Sequence, residues 1–191
     1  MNNPGLEIRG DCISAIDPGP TESAIVVIDK GYHPRFFAKD RNEVVLQYIN
    51  GMRNGISDIV IEMVASYGMP VGAEVFETCV WIGRFMEHAH RQGLAVRRVV
   101  RQDEKLCVCH SPKANDATIR NGLLYRFAPN LKGTGKGTKK HPGWFYGFKE
   151  DIWAAYAVGV TYLDIVAGLY DPTETSRRYL SIKEEGNNGT T

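Results

Sequence analysis

Apolar residues along the chain recur with two different periods, and each change of period marks an element. Residues 12–17 (CISAID) are a short apolar run ending in Asp-Pro-Gly-Pro, the pattern of a strand entering a turn. Residues 23–29 (SAIVVID) read as a second strand, and the short gap across 18–22 predicts a hairpin between the two. Residues 33–38 are a candidate third strand. Residues 42–53 place Val44, Val45, Tyr48, Ile49 and Met52 at helical spacing, with Gly55 as a stop. Residues 58–63 (DIVIEM) are a strand rich in β-branched residues. Residues 71–92 predict the first long helix, with Val75, Phe76, Cys79, Ile82, Phe85 and Met86 on one face and Gly93 closing it. A fifth strand follows at 94–100, then a helix at 115–127 whose apolar face carries Ile119, Leu123 and Leu124. Residues 128–149 show no period. Glycine, lysine and aromatic residues dominate there, as in a long loop that is functional or disordered. The last helix spans 150–169 and buries Ile152, Ala155, Tyr156, Gly159, Val160, Leu163 and Val166.

Three strands, then helix, strand, helix, strand and two helices specify an α/β domain, a mixed five-stranded sheet with helices on its faces. Neither an internal repeat nor a second domain is visible. The expected organisation is a flexible leader at 1–10, one domain at 11–170 and a polar, frayed tail at 171–191. A length of 191 residues with 43% hydrophobic residues is enough for one ordinary core. No apolar run reaches the roughly 18 residues of a membrane span, and the polar start lacks a signal-peptide core. Cys12, Cys79, Cys107 and Cys109 are too few for a disulfide framework in a chain this long, so the expected compartment is a reducing cytoplasm.

Charge sharpens this picture. The net charge is +1, but residues 97–149 hold twelve Lys or Arg against three Asp or Glu, and the rest of the chain is net acidic. A basic block in an otherwise acidic chain fits either a polyanionic partner or a solvated basic surface. Three acids fall where chemistry is easily supported. Asp17 ends the first strand, Glu62 ends the apolar DIVIEM strand, and Asp151 lies in the first turn of the last helix. Sites of open α/β sheets gather at the carboxyl ends of strands. A carboxylate inside an apolar strand is expensive to bury, and a divalent cation is an effective partner for it. Hard oxygen ligands favour Mg²⁺ or Mn²⁺, and two such ions can drive phosphodiester hydrolysis. The basic block would offset the repulsion between these acids and a nucleic acid backbone. Each acid also has a structural reading, Asp17 as a turn former and Asp151 as a helix-start residue.

The runs IDPGPTESAIVVID and VIEMV, the central KANDA and the late GWFYGFKEDIWAAYAVGVTYLD resemble RuvC-type Holliday junction resolvases, in particular their phage-type branch. The resemblance covers residues 12–166. It implies an RNase H-like fold and metal-dependent endonuclease activity on four-way junctions, or on flaps and forks, in DNA recombination and repair. It further implies a homodimer matching the junction's two-fold symmetry, about two Mg²⁺ ions per site (with Mn²⁺ able to substitute), and a bacterial or phage-infected cell. By position, Asp17, Glu62 and Asp151 match the metal ligands. The family's D-x-x-D on the last helix is D-x-x-A here, with Ala154 in the second acid's place. Glu150 and Asp116 are the alternatives for the fourth ligand, and substrate phosphate with water could also complete a three-carboxylate site. The resemblance also implies that Lys113 faces scissile-strand phosphate, that Tyr67 and Phe76 lie near the junction centre, and that the 71–92 helix mediates dimerisation.

In the loop, Lys132, Lys136, Lys139 and Lys140 are candidate phosphate contacts. Trp144, Phe145 and Tyr146 either stack on unpaired bases or anchor the loop to the core. Cys107-Val108-Cys109-His110 lacks the second ligand pair of a structural zinc site and reads as buried reduced thiols. His88 and His90 diverge on a helix. Two other functions compete with the nuclease. One is a non-catalytic branched-DNA-binding module of the same fold. The other is an actin-like phosphate-binding ATPase, which would need a duplicated domain that this length does not hold.

Overall fold

The computed structural model describes residues 6–51, 55–65, 71–130 and 134–180. Five strands are present, β1 (Cys12–Asp17), β2 (Glu22–Asp29), β3 (Pro34–Arg41), β4 (Ile56–Met63) and β5 (Ala95–Val100). They form one sheet in the order β3-β2-β1-β4-β5. β1 pairs antiparallel with β2, and β2 with β3, through tight connections; β1–β4 and β4–β5 are parallel. The helices are α1 (Asn42–Gly51), α2 (Ala73–Arg91), α3 (Arg101–Cys109), α4 (Asp116–Phe127), α5 (Ile152–Val166) and α6 (Glu174–Leu180).

Side chains alternate across a strand, and this divides the core in two. Ile13, Ala15, Ala24, Val26, Ile28, Val60 and Val99 face α5. Ile16, Ile25, Ile59 and Ile61 face the other way, onto Val45 and Ile49 of α1 and Trp81, Ile82, Phe85 and Ala89 of α2. The same alternation fixes the acids. Asp17 shares a face with Ala15, and Asp58 and Glu62 share one with Val60, so all three point to the α5 side. α5 is buried almost all round because the sheet covers one side and α3 and α4 pack against it as well. Gly159 permits the close contact: a Cβ there would lie 2.2 Å from Ile28 Cδ1 and 3.1 Å from Ala15 Cβ.

The structure departs from the sequence expectations in five places. First, residues 101–109 form a helix. Its buried positions are Asp103, Glu104 and Cys107, so no apolar stripe announces it. Second, the expected tail contains α6, which docks on β5 through polar contacts: the Val100 amide donates to Ser176 Oγ at 3.1 Å, and Asp103 accepts from the Thr173 amide at 2.8 Å and from Tyr170 Oη at 2.7 Å. Third, α2 is rolled relative to the expected face. Thr78, Trp81, Ile82, Phe85 and Ala89 are buried, whereas Phe76 and Cys79 are exposed. Fourth, the described part of the 128–149 segment is ordered by its own contacts. A Gly137–Pro142 bridge closes a small hairpin, and Phe145 and Phe148 are fully buried against Trp153 and Tyr156. Fifth, in the leader, Ile8 joins the core. Among the described residues, no helix is long and apolar enough to cross a membrane.

Candidate active site

β1 and β4 run parallel with Ile16 opposite Ile61, so the next residues, Asp17 and Glu62, emerge side by side at the carboxyl edge of the sheet. Their carboxyl groups interact electrostatically with each other. Burial pushes the Asp17 carboxyl up to about 8, reinforced by the charges of Glu62 and Asp151. Burial also raises Glu62, against the lowering effect of Arg101. Asp151 is the N-cap residue of α5, yet its side chain makes no capping hydrogen bond. It is half exposed and bound instead by Lys39 Nζ at 2.8 Å. Lys39, on the edge strand β3, also reaches Glu150 at 3.2 Å. These two hydrogen bonds, that to Asp151 first, hold the ammonium's proton more tightly than usual. Glu150 itself sits at φ +44°, a left-handed conformation uncommon for a side chain of this kind, immediately before Asp151.

α3 starts where β5 ends, one strand over from Glu62, and brings two further charged groups. Arg101 Nη1 lies 2.7 Å from Glu104 Oε2 and 3.9 Å from Glu62 Oε2, and its Nη2 binds the Asp116 carboxylate. Burial opposes the Arg101 charge, but Glu104, Glu62, Asp116 and Asp17 outweigh it and hold its proton above the ordinary guanidinium range. Glu104 is completely buried, and burial followed by the Glu62 charge drives its carboxyl well above the usual range. One of its oxygens, Oε1, has no hydrogen-bond partner. Asp116, Glu150, Asp151, Arg101, Ile119, Trp153 and Ala154 line a pocket of about 60 Å³ beside these groups.

The structure therefore brings Asp17, Glu62 and Asp151 to one corner and adds Arg101, Glu104 and Lys39, which the sequence reading did not single out. Asp116 and Glu150 border the same corner, each exposed and each held by a base. Among the described residues, no three His, Cys, Asp or Glu side chains converge on one point at liganding distance, and Lys39 and Arg101 are paired with acids of this corner. The donor set nevertheless fits a hard divalent cation. It is all carboxylate oxygen, it sets Asp17, Glu62, Glu104 and Asp151 against Arg101, Lys39 and the nearby Lys105, and it includes an orphaned buried oxygen.

The other predicted residues lie farther out. Lys113 is exposed in the turn before α4, whose start is fixed by a reciprocal cap between Asn115 and Thr118. Lys139 and Lys140 are exposed at the tip of the 137–142 hairpin, and Lys136 is half-buried at its base. Phe76 is exposed on α2. Tyr67 and Lys132 lie outside the described residues. The loop aromatics divide: Trp144 stacks on Phe127 and donates to Tyr156 Oη at 2.9 Å, Phe145 is buried, and Tyr146 is exposed. The Cys107 thiol is buried and donates to Asp164 Oδ2.

No protein-family model matches the sequence, and no curated protein matches it. Solved structures do. RuvC of T. thermophilus in complex with a Holliday junction substrate superposes with a TM-score of 0.59 at 14% identity, over 85% of this chain and 99% of that one. A further Thermus thermophilus RuvC structure gives 0.58 at 16% identity over the same shares. At such identities the likeness is one of fold, and the chain has the mixed five-stranded, helix-flanked RNase H-like architecture of RuvC.

Proposed function

We propose that this protein is a structure-selective endonuclease that hydrolyses phosphodiesters in Holliday junctions or related branched DNA with the help of divalent cations. The observation that carries this reading is the Asp17–Glu62 pair. Two half-buried carboxyls stand side by side at the carboxyl edge of the sheet, facing Asp151, with more negative charge than the neighbouring bases cancel. The structural likeness to a junction-bound RuvC supports the substrate class.

In this reading Asp17, Glu62 and Asp151 hold Mg²⁺ or Mn²⁺, two ions per site. Such ions supply water activation and neutralisation of the charge that builds on the phosphate. Lys39 and Arg101 flank the acids and are positioned to pair with the scissile phosphate once their carboxylates engage a cation. Lys113, Lys136, Lys139 and Lys140 track the DNA backbone. The exposed Phe76 and Val80, one turn apart on α2, suit a homodimer contact or the junction centre, and a dimer would present two sites to a two-fold substrate. The GWFYGFKEDIWAA run into α5 supports the phage-type branch and hence a cytoplasmic role in recombination or repair.

The test is cleavage of end-labelled four-way junction, flap, fork and plain duplex side by side, with Mg²⁺ and with EDTA. Mg²⁺-dependent incision of a branched substrate in preference to duplex is expected. Stable junction binding without incision under any divalent ion would instead identify a non-catalytic binding module.

A further inference from the structure

We infer that Glu104 is a metal-ligating residue of this site and takes the place of the acid that Ala154 lacks. The proposal rests on the reading of Asp17, Glu62 and Asp151 as a cation site and adds the residue that completes it. Three observations support it. Glu104 is fully buried, and its Oε1 has no hydrogen-bond partner, a costly arrangement for a carboxyl group unless something else engages it. Its other oxygen and Glu62 Oε2 both lie within 4 Å of one nitrogen, Arg101 Nη1, so the space between the two carboxylates already accepts positive charge. The backbone holds it there: Glu104 is in the first turn of α3, directly after β5, and β5 pairs Val99 with Glu62.

The other acids compare poorly. Asp116 is 91% exposed and turned toward the outer nitrogen of Arg101. Glu150 is exposed and engaged by Lys39. A Glu on α3 reaches the cluster from the β5 side, whereas an acid at position 154 would reach it from α5. The two routes supply one carboxylate from different elements. A role confined to anchoring Arg101 would use only Oε2 and leaves the buried Oε1 unexplained.

The experiment is calorimetric titration of Mn²⁺ into the full-length protein without DNA, for wild type and for Glu104→Gln, Glu62→Gln, Asp116→Asn and Glu150→Gln. Circular dichroism and melting curves check folding. Glu104→Gln is expected to weaken Mn²⁺ binding by about tenfold or more, as Glu62→Gln does, with Asp116→Asn and Glu150→Gln within about threefold of wild type. Wild-type affinity in Glu104→Gln alongside loss in Glu62→Gln would overturn the role of Glu104 and leave the cation site standing. No Mn²⁺ binding by folded wild type would overturn the cation site itself. Should Glu104→Gln fail to fold, Glu104→Asp keeps the charge and the Arg101 partner but withdraws the oxygens by one methylene. Weaker binding is again expected, and unchanged binding overturns the proposal.

Discussion

Asp58 and Glu62 lie four residues apart on β4, on the same face, yet their surroundings are opposite. Asp58, near the start of the strand, is buried and fully engaged. Tyr162 Oη donates to Oδ1 at 2.9 Å, Ser57 Oγ donates to Oδ2, and Arg97 stands 3.7 Å away. Glu62, at the other end, stands beside a second acid, Asp17, and meets a third, Glu104, across Arg101. Asp164 on α5 repeats the first situation. Its carboxylate takes two hydrogen bonds from Arg126, at 2.5 and 2.8 Å, and others from Tyr32 Oη and the Cys107 thiol. A buried acid with its partners supplied locally serves the fold. A buried acid among other acids needs a charge from outside, and in this chain such acids gather at the carboxyl edge.

This contrast can be broken at several points. The largest effect on stability is expected at the engaged acids. Asp164→Ala leaves Arg126, Tyr32 and Cys107 without their acceptor. It should cost about 3 kcal/mol, the low end for breaking a buried pair because Arg126 still reaches water. Denaturant melts measure it, and a cost near zero would remove the distinction. Asp58→Ala strands the buried Tyr162 hydroxyl and should cost about 1–3 kcal/mol, whereas Glu62→Gln in EDTA at pH 8 should leave the midpoint unchanged or raised. The reverse ranking would mean that Glu62 is the structural acid.

A pH series separates the two ends further. The folded protein keeps a proton on Asp17 up to about pH 8, and the unfolded chain loses it near its ordinary value of 3.8. Between these values the native state binds more protons, so stability in EDTA falls as pH rises, and Glu62 and Glu104, raised in the same direction, add to the slope. Asp17→Asn should flatten this slope and raise the melting midpoint at pH 8, by about 2–4 °C for each kcal/mol relieved in a domain of this size. A wild-type profile that rises with pH across the window would contradict the placement of these acids. The smallest effect is expected at the loop. Changing Lys136, Lys139 and Lys140 together to Ala should reduce the slope of log K for junction binding against log salt by about 0.9 for each DNA phosphate these lysines neutralise. An unchanged slope would place the residues that grip the backbone elsewhere.

How far these regions were legible in the sequence depended on how each buries its surface. The sheet and α5 were readable because β-branched runs and an apolar helix carry a strong period. Asp17, Glu62 and Asp151 were readable because each interrupts or borders such a run. α3 and α6 were not, since α3 buries Asp103 and Glu104, and α6 docks through Ser176 and Leu180 with Asp103 bonded to Thr173 just before it. Hydrophobic periodicity is blind to a helix held by hydrogen bonds. Glu104 and Arg101 went unnoticed for the same reason: in RQDEKLCVC they pass for surface charges. Lys39 joins the site only through the pairing of β3 with β2, an arrangement of separate segments that no local pattern encodes.

The most direct test of the central claim, that the uncompensated acids at the carboxyl edge form a cation-dependent catalytic site, is the cleavage rate of a labelled four-way junction against Mg²⁺ concentration, for wild type and Glu62→Gln, with junction binding and melting curves measured on both. The account predicts a wild-type rate that is absent in EDTA and saturates with Mg²⁺. It predicts a Glu62→Gln protein that folds and binds the junction but cleaves at least about 100-fold more slowly at every Mg²⁺ concentration. Cleavage by Glu62→Gln at wild-type rates, or wild-type cleavage that persists in EDTA, would contradict it.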